Sequence, residues 1–171
     1  NNANITFNSD VTLDGTGAIL LDTGEGNITF DGTVNGANSL VINLGRDNAG
    51  DVTFGGVVGG EAALYALNIT GSTTIKANIT TNNAAITFKS PVTLSTNTIT
   101  IDSGLGDITF ENVVDGNQKL ITRAHRAGNA DGMVAFMDNV GTNTALGGLD
   151  ITAGFIKIGK AITTNADIDF K

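Results

Sequence analysis

Cysteine and tryptophan are absent from this chain, and proline, tyrosine and histidine each occur once. Without cysteine no disulfide can staple the fold, so stability must come from stacked backbone and aliphatic layers. Charge is scarce, at 15% of residues, and its balance is acidic: nine Lys and Arg against 17 Asp and Glu leave a net charge of −8. A nucleic-acid partner calls for clustered Lys and Arg against phosphates, and that clustering is missing. There is also no run of about 20 apolar residues to cross a membrane as a helix. What is present is glycine, 23 residues of it in 171, with abundant Thr and Asn. The length suffices for one domain with a sizeable core. The composition suits a bacterial surface or secreted protein.

The chain states nearly the same pattern twice and then begins a third time. Ile5-Thr6-Phe7 restarts at Ile86-Thr87-Phe88 and again at Ile168-Asp169-Phe170, offsets of 81 and 82. Val11-Thr12-Leu13 returns as Val92-Thr93-Leu94, Asn27-Ile28-Thr29-Phe30 as Asp107-Ile108-Thr109-Phe110, and Leu67-Asn68-Ile69-Thr70 as Leu149-Asp150-Ile151-Thr152. Order-preserving self-similarity of this kind marks a solenoid or array. We divide residues 1–171 as one array: unit one 5–85, unit two 86–167, and the start of a third at 168–171. A leader peptide is not evident, and the opening at Asn1 reads as a processed or excised segment.

A shorter period lies inside the long one. The tripeptide of Ile or Val, a second residue and Phe recurs at 5–7, 28–30 and 52–54, then at 86–88, 108–110 and 134–136. In an extended chain alternate side chains share a face, so the apolar pair points inward and the middle residue outward. Gly, Asn and Asp fill the gaps between these runs and supply turn chemistry. Only Lys119 to Ala127 carries apolar residues at helical spacing. It aligns with strand-like Leu40 to Ile42 of unit one, so a strand running into a loop is expected there.

Rungs of about 20–25 residues with two or three short strands each predict an all-β parallel β-helix. Phe7, Phe30, Phe54, Phe88, Phe110, Phe136 and Phe170 hold one position in the motif, which predicts an internal aromatic ladder in at least part of the array. Phe155 has no place in it. Thr6, Thr29, Thr53, Thr87 and Thr109 are expected to project outward from one face. About eleven strand-like runs per unit do not divide evenly among three faces, and the runs cannot be assigned to faces from the sequence.

The cadence GNITFDGTVNG followed by GDVTFGGVVGGEAALYALNITGSTTIKANITTNNAAITF resembles the repeats of large bacterial surface proteins of the filamentous-haemagglutinin-like kind, exported by two-partner secretion or as autotransporter passengers. The resemblance implies a right-handed parallel β-helix forming an elongated stalk or fibre at or outside the cell, used in adhesion or biofilm contact. The export motif of that family is not in this stretch.

Chemistry-bearing residues are few. His125 lies between Arg123 and Arg126 in RAHRAGNADG, where unit one has INLGRDNAGD; the trio could form a small anion-binding patch. Asp10, Asp14 and Asp22 lie within one rung and could serve a polysaccharide-cleaving β-helix as acid and base. Only Asp22 has an acidic counterpart, Asp102, and turn formation explains them more simply. Asp47, Asp51 and Asp131 offer a few oxygen ligands for calcium without the repeated Gly-Gly-x-Gly-x-Asp string. Sequons begin at Asn4, Asn27, Asn68 and Asn78, at turn-to-strand junctions. A single threonine column, interrupted at Ala135 and Asp169, lacks the paired Thr-x-Thr columns of an ice-binding face.

The expectation is therefore a non-enzymatic extracellular or cell-surface solenoid, structural or adhesive, with no cofactor and no metal. A carbohydrate- or anion-binding module, an ice-binding solenoid and a polysaccharide-degrading β-helix enzyme are the alternatives. Partners expected are host or matrix glycans or proteins and the chain itself, joined end to end, with Ala166, Ile168 and Phe170 at the contact.

Overall fold

The fold was obtained as a computed structural model, which describes residues 2–45, 50–125 and 132–171. The chain winds through seven turns of a parallel β-helix and begins an eighth. Turn one holds β1 (Ile5–Phe7), β2 (Val11–Thr12) and β3 (Ile19–Asp22). Turn two holds β4 (Ile28–Phe30), β5 (Val34–Asn35) and β6 (Ser39–Asn43). In turn three, β7 (Asp51–Phe54) and β8 (Ala66–Thr70) flank Val58, which pairs as a single residue. Turn four holds β9 (Ser72–Ile75), β10 (Ile79–Thr80) and β11 (Ile86–Phe88). Turn five holds β12 (Val92–Leu94), β13 (Ile99–Asp102) and β14 (Ile108–Phe110). Turn six holds β15 (Val114–Asp115), β16 (Lys119–Ala124) and β17 (Met133–Phe136). Turn seven holds the single residue Val140, then β18 (Gly148–Ala153) and β19 (Phe155–Ile158). Ile162 and β20 (Ile168–Phe170) open the eighth turn.

The first, second and third strand positions of successive turns stack into three parallel faces. Inward side chains therefore form columns. On the second face Val11, Val34, Val58, Ile79, Ile101, Thr122, Ile151 and Phe170 follow one another in register. The core runs unbroken from Ile28 to Ile151 with its aliphatic and aromatic side chains fully buried. Each such side chain contributes roughly 1.5–3 kcal/mol relative to exposure.

The long repeat and the turn of the helix do not share a period. From β1 to its repeat equivalent β11 the chain takes eleven strand positions, counting Val58, and it takes eleven more to β20, counting Val140 and Ile162. Eleven positions on three faces are three turns and two faces. The Ile-x-Phe strand that opens unit one therefore lies on the first face, its copy in unit two on the third, and its copy at 168–170 on the second. Three units of this length would fill eleven whole turns.

This rotation splits the expected aromatic ladder. Phe7, Phe30 and Phe54 stack on the first face, with ring centroids 4.9 and 5.3 Å apart and planes within 6° and 8° of parallel. Above Phe54 the column continues as Ile75 and Leu94. Phe88, Phe110 and Phe136 stack separately on the third face at 5.2 and 4.8 Å, between Ile69 below and Ile158 above. Phe170 belongs to neither stack: it lies over Ile151 on the second face and is 49% exposed. The expected threonine column is corrected for the same reason. Thr6, Thr29 and Thr53 continue into Thr74 and Thr93 on the first face, whereas Thr87 and Thr109 stand on the third, between Asn68 and Ala135.

Corners are held by side chains that mimic backbone. The Asn4 side-chain carbonyl accepts the Asn27 N–H at 2.8 Å, and that of Asn27 accepts the Asp51 N–H at 2.9 Å. Asp107 does the same for Met133, and Asn78 for Thr100. Each such contact ties one rung to the next at a corner where the strand ladder is interrupted. Thr23 and Ser103, equivalent in the two units, each donate a hydroxyl three residues ahead, to the carbonyls of Gly26 and Gly106. Lys119–Ala124 is strand, as the alignment with unit one required.

Candidate functional site

The outer surface holds most of the residues with chemical potential, and the fold distributes them. On the first face the outward column Thr6, Thr29, Thr53, Thr74 and Thr93 ends at Asp115. Two residues before the threonines stand Asn4, Asn27, Asp51 and Ser72, so no second threonine column runs beside the first. Thr74 and Thr93 escaped the sequence pattern because their strands lack the phenylalanine that marks the motif.

The second face is charged on its outside. Lys119 pairs with Asp150 at 2.7 Å, and Lys171 with Asp169 at 2.6 Å. That contact raises the Lys171 pKa above the ordinary lysine value, through the hydrogen bond first and the attraction of the carboxylate second. Arg123 stands in register between Asp102 below and Thr152 above, projecting outward from β16. His125 follows on the exposed corner after β16, and Arg126 lies outside the described residues. The cations of this region thus sit among carboxylates, which lowers the field an anion would meet.

The carboxylates singled out from sequence do not converge. Asp10 sits at the corner between β1 and β2, Asp14 follows β2, and Asp22 ends β3. Asp10 accepts the Thr33 N–H at 2.7 Å, and this hydrogen bond, ahead of all else, holds its pKa below the ordinary aspartate value. Asp22 accepts the Gly24 N–H and the Asn43 amide, and Asp102 accepts the Gly104 N–H. These contacts are turn chemistry. Of the proposed oxygen ligands, Asp47 and Asp131 lie outside the described residues, and Asp51 begins β7 on the exposed side. Among the described residues no three His, Cys, Asp or Glu side chains gather as a metal site, and no cavity opens. Three sequon asparagines, Asn4, Asn27 and Asn78, use their side-chain carbonyls as rung ties, while Asn68 projects from β8.

The remaining candidate surface is the edge formed by the last turn. Ile168 rests on Leu149 and Phe170 on Ile151, and both are about half exposed, at 43% and 49%, on the side away from that rung. On the neighbouring third face Ile158 continues the inward column from Phe136 and is 42% exposed, whereas Phe155, in register with Met133, faces outward and is 62% exposed. Sequence reasoning found Ile168 and Phe170 and missed Phe155 and Ile158, which no periodic signal marks. Ala166 contributes its carbonyl to the Thr164 hydroxyl and stays at the corner. At the opposite edge Ile5, Phe7, Val11, Ile19 and Leu21 pack against the core on one side only. Comparison with protein-family models, with curated proteins and with solved structures found no match to this chain.

Proposed function

We propose that the chain is a structural and adhesive segment of an extracellular bacterial surface protein: a β-solenoid stalk or fibre of the filamentous-haemagglutinin-like kind, able to join end to end. The observation that carries this reading is the combination of a core that runs unbroken along the helix axis with two apolar edges, Ile5 to Leu21 at one end and Phe155 to Phe170 at the other. A stack of equal rungs gives length at a constant cross-section, which is what a spacer or fibre needs. The outside, on which no cavity opens among the described residues and which carries single columns of Thr, Asn and charged residues, suits contact with glycans or proteins of a host or matrix better than enclosure of a small substrate. The negative charge and low aromatic content keep such a rod soluble along its sides while its ends remain reactive.

Negative-stain electron microscopy of the 171-residue chain, with light scattering across a concentration series, tests this reading. Thin unbranched rods that lengthen with concentration are expected. Compact particles of fixed size at every concentration would refute end-to-end joining, and globular rather than rod-shaped particles would refute the stalk itself.

A further inference from the structure

The edge made by β19, Ile162 and β20 has a surface that the interior of the same chain already covers twice. Every other strand of the Ile-x-Phe kind that opens a unit lies beneath a second Ile-x-Phe strand: Ile5 and Phe7 beneath Ile28 and Phe30, Ile86 and Phe88 beneath Ile108 and Phe110. Only Ile168 and Phe170 have no such cover. The strand at the β19 position has its own internal counterpart as well, because β9 lies beneath Val92, Thr93 and Leu94, the repeat equivalents of Val11, Thr12 and Leu13.

We infer that this edge is a docking surface for a second copy of the chain, entered in the frame of the long repeat, so that β20 of one molecule replaces β1 of the next. The inference rests on the end-joining reading above and adds its register. Ile168 then lies beside Ile28, Asp169 beside Thr29 and Phe170 beneath Phe30 of the incoming copy, the pairings that Ile5, Thr6 and Phe7 make within one chain. Val11 and Leu13 of that copy cover Ile156 and Ile158, following β12 on β9. The corner tie transfers too: Asp167 holds the position of Asn4, whose side-chain oxygen receives the Asn27 N–H. The displaced strand is held weakly: Ile5 and Phe7 are only partly buried and Thr6 is exposed.

The alternative is plain stacking, in which β1 stays in place and seats on β19. That arrangement sets Leu20 beside Asp169 and Leu21 over Phe170, a pairing the interior nowhere contains. The two arrangements also differ in twist. Exchange advances the helix by 22 strand positions per molecule, which is seven turns and one face, or about 35 Å at the usual strand spacing. Stacking advances it by 23 positions, seven turns and two faces.

Because the chain has no cysteine, cross-linking reads the register directly. Thr29→Cys with Asp169→Cys reports exchange, and Leu20→Cys with Asp169→Cys reports stacking; all three side chains point away from the core. A short thiol–thiol cross-linker should convert the first variant into a ladder of covalent oligomers and leave the second monomeric on a denaturing gel. A ladder from the second variant, from both or from neither, while the unmodified chain forms rods, would overturn the exchanged register and leave end-joining standing. A chain that stays monomeric by light scattering at every concentration would overturn both.

Discussion

Phe54 stacks on Phe30 with ring centroids 5.3 Å apart and planes 8° from parallel, and both rings are sealed from solvent by the rungs around them. The stack exists because both residues follow an Ile or Val by two positions in strands that register one above the other. Ring packing of this offset kind adds to the burial of the side chains themselves.

Phe54→Ala should therefore cost about 3–5 kcal/mol, since it removes a buried ring and leaves a void between Phe30 and Ile75. Thr53→Ala, one residue away and pointing outward, should change stability by less than about 0.5 kcal/mol. Urea denaturation followed by circular dichroism compares them. A loss below about 1 kcal/mol for Phe54→Ala would contradict the sealed stack.

Much of this architecture was readable in the residues. The alternation in Ile28-Thr29-Phe30 announces a strand with an inward Phe, and its recurrence announces rungs, because in a solenoid equal sequence implies equal environment. The face assignment was not readable. Ile5-Thr6-Phe7 and Ile86-Thr87-Phe88 are identical, yet they lie on different faces; the difference arises from the number of strand positions between them, and one of those positions, Val58, is a single residue with no strand signature. Likewise nothing in Phe155-Ile156-Lys157-Ile158 distinguishes an edge strand from an interior one. Edge status comes from what lies above it.

Gly36 and Gly116 occupy equivalent corners of the two units with φ of 128° and 127°. A Cβ on either would collide with a carbonyl oxygen of the rung below, that of Leu13 or Leu94. Gly116→Ala should destabilise by about 1–3 kcal/mol, combining backbone strain with the displaced rung. Gly15→Ala, where the added carbon meets open space at ordinary φ, is the control and should be neutral or slightly stabilising. Equal thermal midpoints for the two variants would refute the close approach.

The corner ties should be separable from side-chain size. Asn78 accepts the Thr100 N–H at 2.8 Å through its side-chain oxygen. Asn78→Ala removes the acceptor and should cost about 0.5–1.5 kcal/mol. Asn78→Asp keeps an oxygen in place and should recover most of that loss above the carboxylate pKa. Hydrogen exchange at the Thr100 amide reads the contact itself: faster exchange in the alanine variant than in the aspartate variant is expected, and equal rates would remove the tie from the account.

Asp10 and Asp138 should titrate below the ordinary aspartate value. The Thr33 N–H bonded to Asp10 favours its ionised form, and for Asp138 the Lys160 ammonium at 2.8 Å does so first, with the Asn139 N–H second. A carboxyl whose folded pKa lies below its unfolded value adds stability that is complete above the unfolded value and fades as pH falls through the folded one. Asp10 is exposed and Asp138 only partly buried, so the effect on overall stability is small, and its sign is what matters: acidification from neutral pH should weaken these two contacts and never strengthen them. Carboxyl carbon shifts followed by NMR across an acid titration check it residue by residue. Midpoints for Asp10 and Asp138 at or above the ordinary aspartate value would contradict both contacts.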